Sequence, residues 1–140
     1  MFIRNEYKEI FLDSLKYCIA NKGLEVCGWC ITTSHVHLII GSNKEKLPDI
    51  VCDMKIFTSL KIIQAIKNNK SECRRDWLLW MMQRTGSKNG HNKFQFWIQN
   101  SHPIVLDTPE ILWQRLDYIH NNPVVSGRVL KAEEFVFSSA

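Results

Sequence analysis

The chain of 140 residues has the length of a single domain and can bury a core without disulfide or metal staples. Its hydrophobic fraction of 45% and charged fraction of 23% exclude a disordered chain, and the net charge of +4 favours polyanionic partners only mildly. No apolar run approaches the roughly 20 residues of a membrane-spanning helix, and no signal peptide is recognisable, so we expect a cytoplasmic protein with no membrane partner.

The beginning of the chain predicts a helix followed by a β-hairpin. Apolar residues recur every three or four positions between Asn5 and Asn21, and Gly23 supplies a stop. Residues 24–33 and 35–40 are rich in β-forming side chains, with a short polar turn between them. Two strands joined this tightly are expected to pair antiparallel.

Two helices are predicted in the middle of the chain. Pro48 suits the first turn of a helix that runs to about Asn68. The inner face of this helix is predicted to consist of apolar side chains at helical spacing: Leu47, Val51, Met54, Phe57, Ile62 and Ala65. A shorter helix is predicted over residues 72–83, with three apolar or aromatic anchors: Trp77, Leu79 and Trp80.

A loop and a strand are predicted before the last helix. Residues 85–93 have no apolar period and contain two glycines, which predicts a loop, and residues 94–99 are typical of a short aromatic strand. Thr108 before Pro109 predicts a capped helix start, and Pro123 predicts a helix end near Asn121. The apolar face of this helix is expected to pack on the sheet: Leu112, Leu116 and Ile119.

This order of elements predicts an α+β fold, namely a ferredoxin-like antiparallel sheet with helices on one face. A complete version of that fold has one more strand before the first helix, and the sequence does not supply it. We therefore expect residues 1–140 to be one domain that is truncated at both ends.

The strand at residues 35–40 carries the first candidate site. Side chains alternate along a strand, so His35 and His37 point to the same face, about 7 Å apart at Cα. Two imidazoles at that separation can hold one divalent ion if a third ligand arrives from elsewhere. Two solvated histidines on an exposed face are the alternative.

The last helix offers that third ligand. Tyr118 and Asn122 project from one side of the helix end, and Arg115 shares that side one turn earlier. If the helix crosses the histidine face, the Asn122 oxygen can join the two imidazoles in holding Mg²⁺ or Mn²⁺ against a phosphate. Tyr118 would then stand beside the ion as a nucleophile. A half-buried structural tyrosine and a turn asparagine before proline are the alternatives.

Five cysteines suggest competing sites. Cys27 and Cys30 form a C-x-x-C motif, but a redox motif should open a helix and this one lies inside a strand. A zinc set that adds His35 and His37 is disfavoured because alternation points the two thiols to opposite faces. Buried thiols in a reduced protein explain the cysteines best.

Two motifs in this order resemble the single-tyrosine HUH transposases, and more narrowly the REP-associated tyrosine transposase branch. They are His35-Val36-His37 on the second strand and Asp117-Tyr118-Ile119-His120-Asn121-Asn122-Pro123-Val124 on the last helix. The resemblance implies an enzyme that cuts and rejoins single-stranded DNA through a 5′-phosphotyrosine on Tyr118. It also implies a divalent metal, Mg²⁺ or Mn²⁺, held by His35, His37 and Asn122.

The implied partner is single-stranded or hairpin DNA, and both a monomer and a homodimer are compatible with the resemblance. The residues predicted to contact the DNA are basic: Lys55, Arg74, Arg75, Lys88, Lys93 and Arg115. Most aromatic residues of the central region are expected in the core, although one or two could instead stack on unpaired bases. The alternative function is an inactive hairpin-binding protein descended from such an enzyme.

Overall fold

The computed structural model describes residues 2–88, 94–98 and 101–140, apart from the side chain of Lys88. These residues form an α+β fold, as predicted. The elements follow one another as α1 (Asn5–Lys22), β1 (Leu24–Ile31), β2 (Val36–Ser42), α2 (Leu47–Asn68), α3 (Arg75–Lys88), α4 (Pro109–Val125) and a 3-10 turn at Ala132–Glu134. None of the described helices is long and apolar enough to cross a membrane.

The predicted hairpin is confirmed. β1 and β2 pair antiparallel from Leu24 opposite Ser42 to Ile31 opposite Val36, with a bulge between Val26 and Gly28. Gly23 ends α1 in the left-handed conformation, at a φ of 72°, and its N–H donates to the carbonyl of Cys18. That conformation favours glycine, so the chain can turn directly from helix to strand.

Helices cover both faces of the hairpin. α1, α2 and α3 pack on one face, where Tyr7, Ile31 and Ile62 are fully buried. α4 packs on the other face around Cys30, Ile39 and Ile119. The prediction of helices on one face is therefore wrong for α4, because Cys30 and Ile39 make the second face of the hairpin apolar as well.

The buried face of α2 differs from the predicted one. Met54 and Ile62 are buried as expected, but Phe57 leaves 47% of its surface exposed. The buried stripe instead runs through Thr58, whose hydroxyl donates to the carbonyl of Met54 at 2.7 Å and accepts from Trp97 Nε1 at 3.0 Å. The prediction used apolar residues only, so a buried stripe with a threonine at its centre was not recognised.

α3 begins and ends later than predicted. Leu78 and Met82 are buried, whereas the predicted anchors Trp77 and Trp80 are more than half exposed. The predicted loop start is wrong, because residues 85–88 continue the helix. The hydroxyl of Thr85 donates to the carbonyl of Met81, so its hydrogen-bond donor has a partner within the helix. Residues 89–93 of the predicted loop lie outside the described residues.

Residues 94–98 do not form the predicted strand. Phe96 and Trp97 instead contact Phe2, with ring centroids 5.4 Å and 5.6 Å from the Phe2 ring. The aromatic side chains pack on the start of the chain, while the N–H of Gln95 donates to the carbonyl of Met82. Aromatic content indicated burial correctly and strand pairing wrongly; Gln99 lies outside the described residues.

α4 starts as predicted and ends later. The Thr108 side chain accepts a hydrogen bond from Ile111 N, as a capping hydroxyl does. The helix continues through Pro123 to Val125, so the predicted end near Asn121 is wrong. Proline removes only one N–H donor, and the N–H of Ser126 still reaches the carbonyl of Asn122 to close the last turn.

The end of the chain runs along the free edge of β1. The N–H of Ile31 donates to the carbonyl of Phe137 at 2.9 Å, and the N–H of Ser139 donates to the carbonyl of Trp29 at 3.0 Å. These bonds satisfy backbone groups that an open strand edge would expose. The same segment covers Lys8, whose ammonium nitrogen lies 4.3 Å from the centroid of the Phe137 ring.

Candidate active site

The histidine pair lies where the turn between the two strands enters β2. Thr32 accepts the N–H of His35 at its hydroxyl and donates its own N–H to the His35 carbonyl at 2.9 Å. His37 follows within β2, opposite Cys30. The two imidazole rings stack, with centroids 6.0 Å apart and an interplanar angle of 20°. The sequence therefore placed both rings correctly on one face of the strand.

A glycine lets α4 approach this face closely. A Cβ on Gly28 would lie 2.4 Å from Leu116 Cδ1 and 3.3 Å from Ile119 Cδ1. Because glycine has no side chain, the methyl groups of Leu116 and Ile119 can occupy this space. We did not single out Gly28 from the sequence, although glycine inside a strand often marks such an approach.

α4 brings Tyr118 and Asn122 to His37 in the same chain. Asn122 Nδ2 lies 3.4 Å from His37 Nε2. The Tyr118 ring stands perpendicular to the His37 ring, with centroids 6.1 Å apart, and 56% of the tyrosine surface is exposed. The tyrosine thus contacts His37 while its outer surface stays accessible.

The two histidines differ in environment. His35 is exposed, and its Nδ1 lies 2.7 Å from the Ser34 hydroxyl. His37 is half-buried, and this burial lowers its pKa, with a further lowering from neighbouring His35. His37 is therefore uncharged near neutral pH, and a neutral imidazole is the form that binds a metal ion or accepts a hydrogen bond.

Arg115 is the predicted DNA-binding residue that α4 places nearest to Tyr118. It lies one helical turn before the tyrosine, so the two side chains share one side of α4. Its Nε is buried and has no hydrogen-bond partner within the described part of the chain. A buried donor without an acceptor costs free energy, so this nitrogen has hydrogen-bonding capacity that the described residues do not use.

The other predicted DNA-binding residues are not gathered at the site. Lys55 on α2 is hydrogen-bonded to the hydroxyl of Ser101. Arg74 and Arg75 lie at the start of α3, which packs on α2 across the hairpin from His37, and Arg75 pairs with Asp76 at 3.3 Å. The Lys88 side chain and Lys93 lie outside the described residues.

The donor types present limit which metal site can form. Among the described residues, no group of three or more histidine, cysteine, aspartate or glutamate side chains is placed to hold an ion. The zinc alternative therefore fails, and Cys27 is exposed while Cys30 is buried. An ion at His35 and His37 would need an amide oxygen as its third protein ligand, and Asn122 is the amide at that position.

Fold and site together define an α+β protein whose strand-borne histidine pair faces a tyrosine on its last helix. The family model described as "Transposase IS200 like" matches residues 1–102, which is well over half of the chain. The protein belongs to this family. The matched residues include His35 and His37 and end before α4. Comparisons with curated proteins and with solved structures gave no match.

Proposed function

We propose that this transposase-family protein is a metal-dependent enzyme of the REP-associated branch that cuts and rejoins single-stranded DNA through Tyr118. The observation that carries the proposal is the contact of Tyr118 and Asn122 with His37 in one chain. A strand from the first half of the chain and a helix from its end meet at a single point.

The donor set fits a divalent ion. Metal–nitrogen bonds of about 2.1 Å allow two imidazole centroids that share an ion to lie up to about 6.5 Å apart. The observed 6.0 Å falls within that limit. His35, His37 and Asn122 are the residues that would hold the ion, with the amide turned to present Oδ1 in place of Nδ2. The ion would supply positive charge that polarises the phosphate.

The proposed reaction exchanges one phosphodiester bond for another. The Tyr118 hydroxyl oxygen forms a bond to phosphorus, and the bond from phosphorus to the 3′ oxygen of the preceding nucleotide breaks. The phenol proton is lost, and the leaving 3′ oxygen gains a proton to become a hydroxyl. The protein then carries a 5′-phosphotyrosine, and attack by a 3′ hydroxyl reverses the step and rejoins the strand.

Arg115 supplies charge for this step. Its guanidinium is fixed on the same helix as the nucleophile, so both reach the same stretch of DNA backbone. A phosphate oxygen would give the buried Nε the acceptor that it lacks. We therefore assign Arg115 to the phosphate at the cleavage position or to its neighbour.

Trapping of the covalent product tests the proposed function. We expect incubation with a labelled hairpin oligonucleotide carrying single-stranded flanks, with Mn²⁺, to give an adduct that survives denaturing electrophoresis. Tyr118→Phe should abolish the adduct, while Tyr17→Phe, which changes another exposed tyrosine, should leave it intact. Equal adduct yield from Tyr118→Phe would overturn the assignment. Tight binding without any adduct would favour the inactive hairpin-binding alternative.

A further inference from the structure

One face of α3 carries exposed aromatic rings that the proposed reaction does not use. Trp77 and Trp80 leave 52% and 54% of their surfaces exposed, although Leu78 and Met82 of the same helix are buried. At 3.6 residues per turn, the side chains of Trp77, Trp80 and Arg84 fall within roughly 60° of arc. We call these three residues the tryptophan face.

The tryptophan face is positively charged. The Arg84 guanidinium lies 5.1 Å from the centroid of the Trp80 ring, in a cation–π contact. Exposed Arg74 precedes the helix on the Trp77 side. In the described part of the chain neither arginine is paired with a carboxylate, and the nearby Asp76 carboxylate is paired with Arg75. Two cations therefore flank two accessible indole rings.

We infer that the tryptophan face binds single-stranded DNA, with unpaired bases stacked on Trp77 and Trp80 and phosphates near Arg74 and Arg84. The choice of DNA as the ligand rests on the proposed function. Base stacking on aromatic side chains beside a cationic track is how proteins bind single strands without strong sequence preference. Three residues of helix rise about 4.5 Å along the axis, a spacing at which neighbouring nucleotides can each reach one ring.

Charge favours DNA over a second copy of the chain as the occupant. A two-fold contact through this face would place arginines of both copies side by side, which costs free energy. A phosphate backbone has the complementary sign. The face also lies across the hairpin from Tyr118, so it would hold a part of the strand that is not being cut.

Binding without cleavage tests this inference. The Tyr118→Phe protein is mixed, without metal, with a fluorescein-labelled single-stranded oligonucleotide of about 20 nucleotides, and the Kd is measured. We expect adding Trp77→Ala and Trp80→Ala to raise the Kd about tenfold or more, because each stacked base contributes roughly fivefold or more in affinity and two are lost. With Trp77→Phe and Trp80→Phe in place of the two alanines, most of the affinity should be retained. Tyr17→Ala, which removes an exposed aromatic ring from α1, should change nothing.

The matching duplex separates stacking from charge. Bases inside a duplex cannot offer their faces, so the alanine pair should leave duplex binding unchanged. An unchanged single-strand Kd, a phenylalanine pair as weak as the alanine pair, or an equal loss for duplex would each overturn the inference. So would a wild-type dimer, seen by sedimentation, that the alanine pair converts to monomers.

This test and the test of the proposed function can fail separately. Adduct formation at Tyr118 with no effect of the tryptophan substitutions on binding would overturn the tryptophan face alone. Tryptophan-dependent binding with no adduct would support the tryptophan face and remove the proposed cleavage activity.

Discussion

The Asn122 amide lies 3.4 Å from His37 Nε2, although 85 positions separate the two residues in the chain. The contact depends on α4 lying against β1, since a helix held farther from the sheet could not extend an asparagine side chain to the imidazole. The fold thereby places a third potential ligand beside two histidines that are neighbours by strand alternation alone.

Asn122 is therefore expected to determine metal affinity. We expect Asn122→Ala to weaken Mn²⁺ binding about tenfold or more, because the ion would lose one of three protein ligands. Titration calorimetry measures the change. Asn121→Ala is the matched control, because Asn121 is exposed on the same helix turn. Equal Mn²⁺ affinity in the two variants would show that Asn122 is not a ligand.

Gly28 is expected to set the distance between α4 and the sheet. A Cβ there would lie 2.4 Å from Leu116 Cδ1, so Gly28→Ala should lower the free energy of unfolding by about 1–3 kcal/mol. Urea denaturation measures the loss. Gly41→Ala is the control, since its Cβ would meet Glu25 Oε2 at an ordinary 3.6 Å.

A second substitution distinguishes this clash from a general effect of alanine in a strand. Leu116→Ala removes the atom that the new Cβ meets, so the double variant should lose less stability than the sum of the two single losses. Additive losses would contradict the clash. A Gly28→Ala protein with reduced Mn²⁺ affinity would further connect the helix position to the proposed metal ligands.

The sequence predicted the parts of the site that follow from local spacing. Alternation placed His35 and His37 on one face, and helical periodicity placed Tyr118 and Asn122 together. It could not predict that α4 covers the second face of the hairpin, because this packing depends on the space left by Gly28 and on buried Ile39. The expectation that the histidine motif and the tyrosine motif meet came from their joint resemblance to one transposase family.

The errors in the fold also have local causes. The buried stripe of α2 passes through Thr58, which the apolar pattern did not count. Pro123 predicts a helix end, but one missing N–H near the last turn leaves the remaining bonds intact. Hydrophobicity alone predicts Trp77 and Trp80 as core anchors, but both are exposed, and this exposure makes the tryptophan face available.

Glu72 is expected to make stability depend on pH. It forms an ion pair with Arg4, accepts the N–H of Arg74 at 3.2 Å and accepts the Tyr7 hydroxyl at 3.4 Å. The hydrogen bond from Arg4 is the main cause that lowers the pKa of Glu72. The ionised carboxylate therefore stabilises the fold above the unfolded carboxyl pKa of about 4.3, and this contribution is lost as the pH falls through the lowered folded value.

Urea unfolding at several pH values measures this contribution. Glu72→Gln should be less stable than wild type at pH 7, and the difference should shrink as the pH falls below about 4.3. Glu9→Gln, an exposed glutamate of α1, should show a much smaller difference at every pH. A gap for Glu72→Gln that stays constant from neutral to acid pH would mean that the carboxylate charge is not responsible.

Thr58 is expected to hold residues 94–98 against α2. Its hydroxyl is fully buried, donates to the Met54 carbonyl and accepts from Trp97 Nε1. Thr58→Val keeps the shape but leaves the indole N–H without its acceptor, which should cost about 1–3 kcal/mol of unfolding free energy. Thr58→Ser keeps the acceptor and should retain the near-ultraviolet circular dichroism of Trp97. A changed spectrum for Thr58→Ser together with an unchanged spectrum for Thr58→Val would show that the methyl group, and not the hydroxyl, positions the indole.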